Sequence, residues 1–182
     1  MKLGTRQNLG FLTYTALSAA VLSIISPFSL PFGAVPITLS LFAVFLISSI
    51  TPLKISVCAV AVYILIGTLG LPVFSGFQGG VQVLIGPTGG FILGYLPSAV
   101  LISTLSKRGH PIKITLSMLS GLLICYALGS FWLGHTLESS FLNALTVTVS
   151  TCIVPDIIKI FLASFISFEI KKRLNNKEIK ND

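Results

Sequence analysis

The sequence predicts an all-α integral membrane protein: one bundle of six transmembrane helices, residues 1–182, with the N- and C-termini in the cytoplasm. Three observations predict it. First, 53% of the residues are hydrophobic, only 9% are charged and the mean hydropathy is +0.96, where a soluble domain carries about 25% charged residues. Second, Pro, Gly and charged residues cut the chain into six apolar stretches. A span needs about 20 residues, so these leave no room for a soluble domain. Third, the basic residues sit on one side. Lys2 and Arg6 precede the first stretch, and Lys54 follows the second. Lys107, Arg108 and Lys113 follow the fourth, and Lys171, Lys172, Arg173, Lys177 and Lys180 follow the sixth. The alternate loops, Pro27–Pro36, Leu71–Ile85 and Gly134–Ser140, hold neither Lys nor Arg. This is the positive-inside asymmetry, and an odd number of spans would break it.

The spans are read in order as Leu9–Ser26, Ile37–Ile50, Lys54–Leu71, Gly86–Ser106, Ile112–Leu133 and Phe141–Ile170, with a short basic tail at 171–182. The second is short for a crossing unless Phe32–Pro36 contributes. Lys2, Arg6 and the small residues Ser18-Ala19-Ala20 imitate a signal peptide. The apolar run continues past them, so the segment is read as a retained helix. Ala16 and Ala20, four residues apart with Ser18 and Ala19 beside them, allow close helix approach. Internal packing and docking of another membrane protein are both open, with packing favoured on general grounds. Trp132 ends the fifth span where an indole suits the headgroup level.

The sixth stretch organises the chain, because it carries Asp156 and Lys159 near its middle. A charge at that depth costs about 2.5–3.5 kcal/mol on insertion scales and faces a partner, a cavity or a ligand rather than lipid. Three positions apart, the two share a helix face. One reading is an internal ion pair that joins helices. The other is a ligand site, which we prefer because the rest of the chain offers the pair nothing charged to meet. Pro155 precedes the pair and can kink the helix. Lys171 lies twelve residues beyond Lys159, about 18 Å along a helix, so the pair belongs to the outer half or the midplane.

The segment Gly70–Gly90 holds seven glycines, more than a helix tolerates. Non-helical backbone near membrane depth survives where it is buried or lines a cavity. We therefore expect a defined loop capping a pocket that opens to the outside, where Gly79 and its neighbours permit close approach. Gln78, Gln82 and Thr88 supply neutral hydrogen bonds there, and Phe74, Phe77 and Tyr95 supply apolar walls. The uncharged, apolar loop Gly33–Leu39 is suited to folding back over the same cavity. Asn143 enters the last span early, where it reaches a cavity or bonds a neighbouring helix. One ammonium, one carboxylate and neutral amides suit a small ligand with polar and apolar parts: Lys159 for an acid group, Asp156 for N–H donors of a urea- or amide-like head.

Several classes are excluded. There is no phosphate-loop pattern and no nucleophile–base pair or second carboxylate in the membrane, so an enzyme is not expected, nor a cofactor. Cys58, Cys125 and Cys152 lack ligand spacing and read as packing residues. His110 and His135 lie in different loops and have no ligand partners, so no metal is expected. The basic tail reads as an orientation signal and lipid contact, not a nucleic-acid arm.

Taken together, Val35-Pro36-Ile37-Thr38-Leu39, Gly70-Leu71-Pro72-Val73-Phe74, Gly76–Gly80, Gly86-Pro87-Thr88-Gly89-Gly90 and Pro155-Asp156-Ile157-Ile158-Lys159 resemble, over nearly the whole chain, the BioY family. These are the biotin-specific substrate-binding (S) components of energy-coupling-factor (ECF) transporters. The resemblance implies a six-helix bundle in the bacterial plasma membrane that binds biotin from outside. It implies docking through the first span on an ECF transmembrane coupling subunit that works with two cytoplasmic ATPase subunits. It also implies that Ala16 and Ala20 form the docking pattern and that Asp156 and Lys159 bind the ligand. The common family form has Gly before the Asp, where this chain has Pro155, and more Gly around Phe77-Gln78. An S component for another small vitamin, or a structural or regulatory membrane subunit without a ligand, are the alternative readings.

Overall fold

The computed structural model describes residues 2–31, 35–106 and 110–178. Phe32–Ala34, Lys107–Gly109, Met1 and the tail beyond Glu178, with Lys180, lie outside them, as do the side chains of 2–7 and 174–178. The described elements are α1 (Lys2–Ile25), a two-stranded hairpin of β1 (Ser29–Leu30) and β2 (Ile37–Thr38), α2 (Ser40–Ile50) and α3 (Leu53–Thr68). A 3-10 turn (Ser75–Phe77), α4 (Val81–Ile85), α5 (Gly89–Leu105), α6 (Pro111–Thr136) and α7 (Phe141–Glu178) follow.

The long helices form a ring in the order α1, α3, α5, α6, α7, α2, with α2 also touching α5 and closing back on α1. Helices α1, α6 and α7 contain stretches long and apolar enough to cross a membrane, namely Asn8–Ile25, Pro111–Thr136 and Phe141–Arg173. Helices α2, α3 and α5 are apolar but shorter. At 11 residues, α2 is about 16 Å long. Ile37–Thr38, read as the first residues of the second span, is instead a strand paired antiparallel with Ser29–Leu30. Of the stretch that would lengthen that span, Phe32–Pro36, residues Phe32–Ala34 lie outside the described ones. Leu39 donates its N–H to the Phe28 carbonyl, which ties down the start of α2.

The most extensively packed helix pair, α5 and α6, is built from small residues. On α5, Gly90, Gly94 and Ser98 repeat every four positions, as do Gly121, Cys125 and Gly129 on α6. Ser98 Oγ donates to the Gly121 carbonyl at 2.7 Å. A Cβ on Gly90 would lie 2.2 Å from Trp132 Cβ. Such stripes let helix backbones approach in the absence of water. Buried and half-buried hydroxyls join other pairs: Ser49 to Ser167 at 2.6 Å and Thr115 to Ser164 at 2.7 Å. Helix α7 is continuous through Pro155, whose missing N–H forfeits a bond to the preceding turn. Trp132 is half-buried and donates Nε1–H to the Gly86 carbonyl at 3.0 Å, bracing the turn between α4 and α5.

Candidate functional site

A cavity of about 320 Å³ opens between the helices and the hairpin, within the range of about 300–1,000 Å³ usual for small-molecule sites. Its floor is made by α6 and α7. Asp156 and Lys159, one helical turn apart on α7, are 4% and 7% exposed. Lys159 Nζ donates to Asp156 Oδ1 at 2.7 Å. Tyr126 of α6 donates its hydroxyl to Asp156 Oδ2, also at 2.7 Å. Both carboxylate oxygens are thus held, and the charges are paired, as buried charges must be. Cys125 and Cys152 complete the floor, and the cysteines at 58, 125 and 152 are free thiols.

The walls come from other helices. Tyr95 and Phe91 of α5, Tyr63 of α3, and Ser40 and Leu41 of α2 line the cavity. The ring of Phe74 does not face it. It packs edge-on against Tyr63, with ring centroids 5.6 Å apart, and sits where a Cβ on Gly67 would be.

The cover is two loop segments. From the hairpin come Ser29, Val35, Ile37 and Thr38; from the glycine-rich segment come Ser75, Gly76 and Gln78. Gly76 N–H donates to the Pro27 carbonyl at 2.9 Å, and Gly80 N–H to the Gly67 carbonyl at 2.7 Å. The chain turns through left-handed backbone at Gly70, Gly76 and Gly80, with φ of 104°, 71° and 98°, which is why glycine stands there. The segment is not wholly irregular: Val81–Ile85 forms the short α4, anchored by Gln82 Nε2–H to the Gly79 carbonyl at 2.7 Å. An open cleft lined by Gln78, Gly79, Gln82, Val83, Gly86, Pro87 and Thr88 adjoins the cavity and shares Gln78, Val83 and Thr88 with it.

The structure therefore brings together Asp156, Lys159, Gln78, Thr88 and Tyr95. Gly79 lines the adjoining cleft. Phe77 points away: it is 61% exposed, at φ 58°, and its ring meets Phe28 edge-on with centroids 5.6 Å apart. Asn143 is exposed near the start of α7 and is not part of the lining. Ala16 and Ala20 are exposed on α1, while Thr15, Ser18, Ala19 and Leu22 turn inward. Packing inside this chain thus uses the neighbouring positions, not these two alanines.

Sequence reasoning missed Tyr126, Tyr63, Ser40 and the two cysteines. One signal was available for Tyr126: a phenol in the middle of an apolar span needs a hydrogen-bond partner. Among the described residues, no group of three His, Cys, Asp or Glu could hold a metal ion. The arrangement can bind a small, partly polar molecule by acceptors on Asp156, donors on Lys159 and surrounding hydroxyls, between apolar walls.

Comparison with known proteins places this geometry. The profile of the BioY family matches residues 2–176. The biotin transporter BioY of Thermotoga maritima is 40% identical over 149 residues, covering 79% of this chain and 85% of that one. Biotin transporter BioY2 of Lactococcus lactis is 32% identical over 167 residues, covering 91% and 92%. Among solved structures, the S-component for biotin from an ECF-type ABC transporter superposes with a TM-score of 0.84 at 25% identity, over 92% of this chain and 93% of that one. With the family profile matched along nearly its whole length and the same bundle found in a solved relative, the chain belongs to the BioY family.

Proposed function

We propose that this protein takes up biotin: it captures the vitamin in the cavity above Asp156 and Lys159 and delivers it as the S component of an ATP-driven ECF transporter. The observation that carries the reading is a buried, hydrogen-bonded Asp156–Lys159 pair at the floor of a small-molecule cavity, in a family whose named relatives are biotin transporters. Asp156 accepts an N–H of the ureido head. The apolar walls take the ring and the aliphatic chain. The protein is a transport component, not an enzyme.

In this reading the chain sits in a bacterial plasma membrane and crosses it six times, with both termini in the cytoplasm and the hairpin and glycine-rich cover outside. The distribution of Lys and Arg supports that orientation. The exposed Ala16 and Ala20 are offered to a transmembrane coupling subunit, which works with two cytoplasmic ATPases. The outward position of both alanines supports this assignment.

Calorimetry of biotin binding to purified protein in detergent tests the reading. Wild type is expected to bind tightly, and Asp156→Asn and Lys159→Met each to weaken binding tenfold or more, about 1.4 kcal/mol. Equal binding by all three proteins would move the site elsewhere. Absence of binding to wild type would remove biotin as the ligand and direct the search to other small vitamins.

A further inference from the structure

Tyr126 belongs to no motif that led to the site, yet among the described residues it makes one of the two hydrogen bonds that hold the Asp156 carboxylate. Its direction is unambiguous. An ionised carboxylate accepts and cannot donate, so the Tyr126 proton points at Asp156 Oδ2. Tyr126 also lines the cavity. With its proton committed, its oxygen offers the cavity lone pairs only. Asp156 is likewise an acceptor, and neither of its oxygens can rotate away without breaking a 2.7 Å bond to Tyr126 or to Lys159.

We infer that Tyr126 is a positioning residue for ligand recognition: by donating to Asp156 it fixes the carboxylate's orientation and turns this part of the floor into a pair of adjacent acceptors that selects N–H donors. A ligand presenting a carbonyl or ring oxygen between Tyr126 and Asp156 Oδ2 would meet lone pair against lone pair, whereas beside Oδ1 the Lys159 ammonium still offers donors. A cyclic urea presents N–H groups. The inference rests on the biotin reading and adds the device that makes Asp156 selective. The aromatic ring of Phe is the natural control, since it keeps the packing against α7 and removes only the hydroxyl.

The experiment is a chemical cycle. Biotin and its two mono-N-methyl ureido isomers are titrated into wild type and Tyr126→Phe, with ligand-free melting recorded for both. Tyr126→Phe is expected to bind biotin about tenfold more weakly while melting close to wild type. For the isomer whose lost N–H faces this floor, the wild-type advantage over Tyr126→Phe is expected to vanish. In the Asp156→Asn background, Tyr126→Phe is expected to add no further loss, because residues acting through one another are not additive. An equal penalty for all three ligands would make Tyr126 a packing residue and overturn the inference, as would unchanged biotin affinity in Tyr126→Phe. Should that variant not fold, wild type alone decides: if both methyl isomers bind as tightly as biotin, no N–H meets this floor. Failure of wild type to bind biotin at all is the separate outcome that removes the parent reading.

Discussion

The floor and the cover of the cavity are built by opposite means. The floor is side-chain chemistry on continuous helices: a carboxylate, an ammonium and a phenol linked by two 2.7 Å bonds. The cover is backbone chemistry on loops. Gly76 and Gly80 reach the Pro27 and Gly67 carbonyls, Phe74 N–H reaches the Gln78 carbonyl at 2.9 Å, and the rings of Phe74 and Phe77, turned away from the cavity, pin the segments against Tyr63 and Phe28. The difference separates two tasks. Helices hold charges where their burial is tolerable. Loops supply a surface whose polar groups already bond one another, so that little of the loop chemistry requires a particular side chain.

The comparison can be broken first at the floor. Removing one member of a buried ion pair leaves the other uncompensated, which costs about 3–5 kcal/mol. Asp156→Asn and Lys159→Met are therefore expected to lower the melting temperature as well as the affinity. The double substitution Asp156→Asn/Lys159→Met should regain stability without regaining biotin binding. Recovery of both would make the pair structural only.

A smaller effect is expected in the cover. A Cβ on Gly79 would lie 2.3 Å from the Leu71 carbonyl oxygen and 2.8 Å from that of Gly70. Backbone atoms yield less readily than a side-chain end, so Gly79→Ala should destabilise by about 1–3 kcal/mol. Melting and biotin titration together would show a weakened cover over an intact floor. Wild-type melting would mean that the segment rearranges freely.

The smallest effects belong to two residues the sequence suggested for the site. Phe77→Ala removes the edge-on contact with Phe28, worth about 0.5–1.5 kcal/mol. In a chase with unlabelled biotin it should speed release by about tenfold at most, with little change in melting. Asn143→Ala, exposed and outside the cavity lining, should leave affinity within about twofold, as surface substitutions do. A large loss in Asn143→Ala would enlarge the site towards the start of α7.

What was legible in the chain follows the same division. Asp156 and Lys159 announce themselves because charge in an apolar span is costly wherever it points, and the glycines at 70, 76 and 80 because positive φ excludes most side chains. The contribution of Tyr126 is not legible, since its partner lies 30 positions away and the contact depends on how α6 turns against α7. Phe77 misled for the complementary reason. An aromatic residue in a glycine-rich loop has two faces available, and only the local backbone decides which one it uses.

The sequence by itself determined an apolar bundle with a charged pair in its last helix, because hydropathy and charge act on each segment separately and need no knowledge of neighbours. Only the tertiary structure decided that Ile37–Thr38 is a strand over the cavity instead of the start of a span, that α4 interrupts the glycine-rich segment, and that Tyr126 completes the floor. Each of these depends on a hydrogen bond or contact between segments distant in the chain, and no local pattern carries that information.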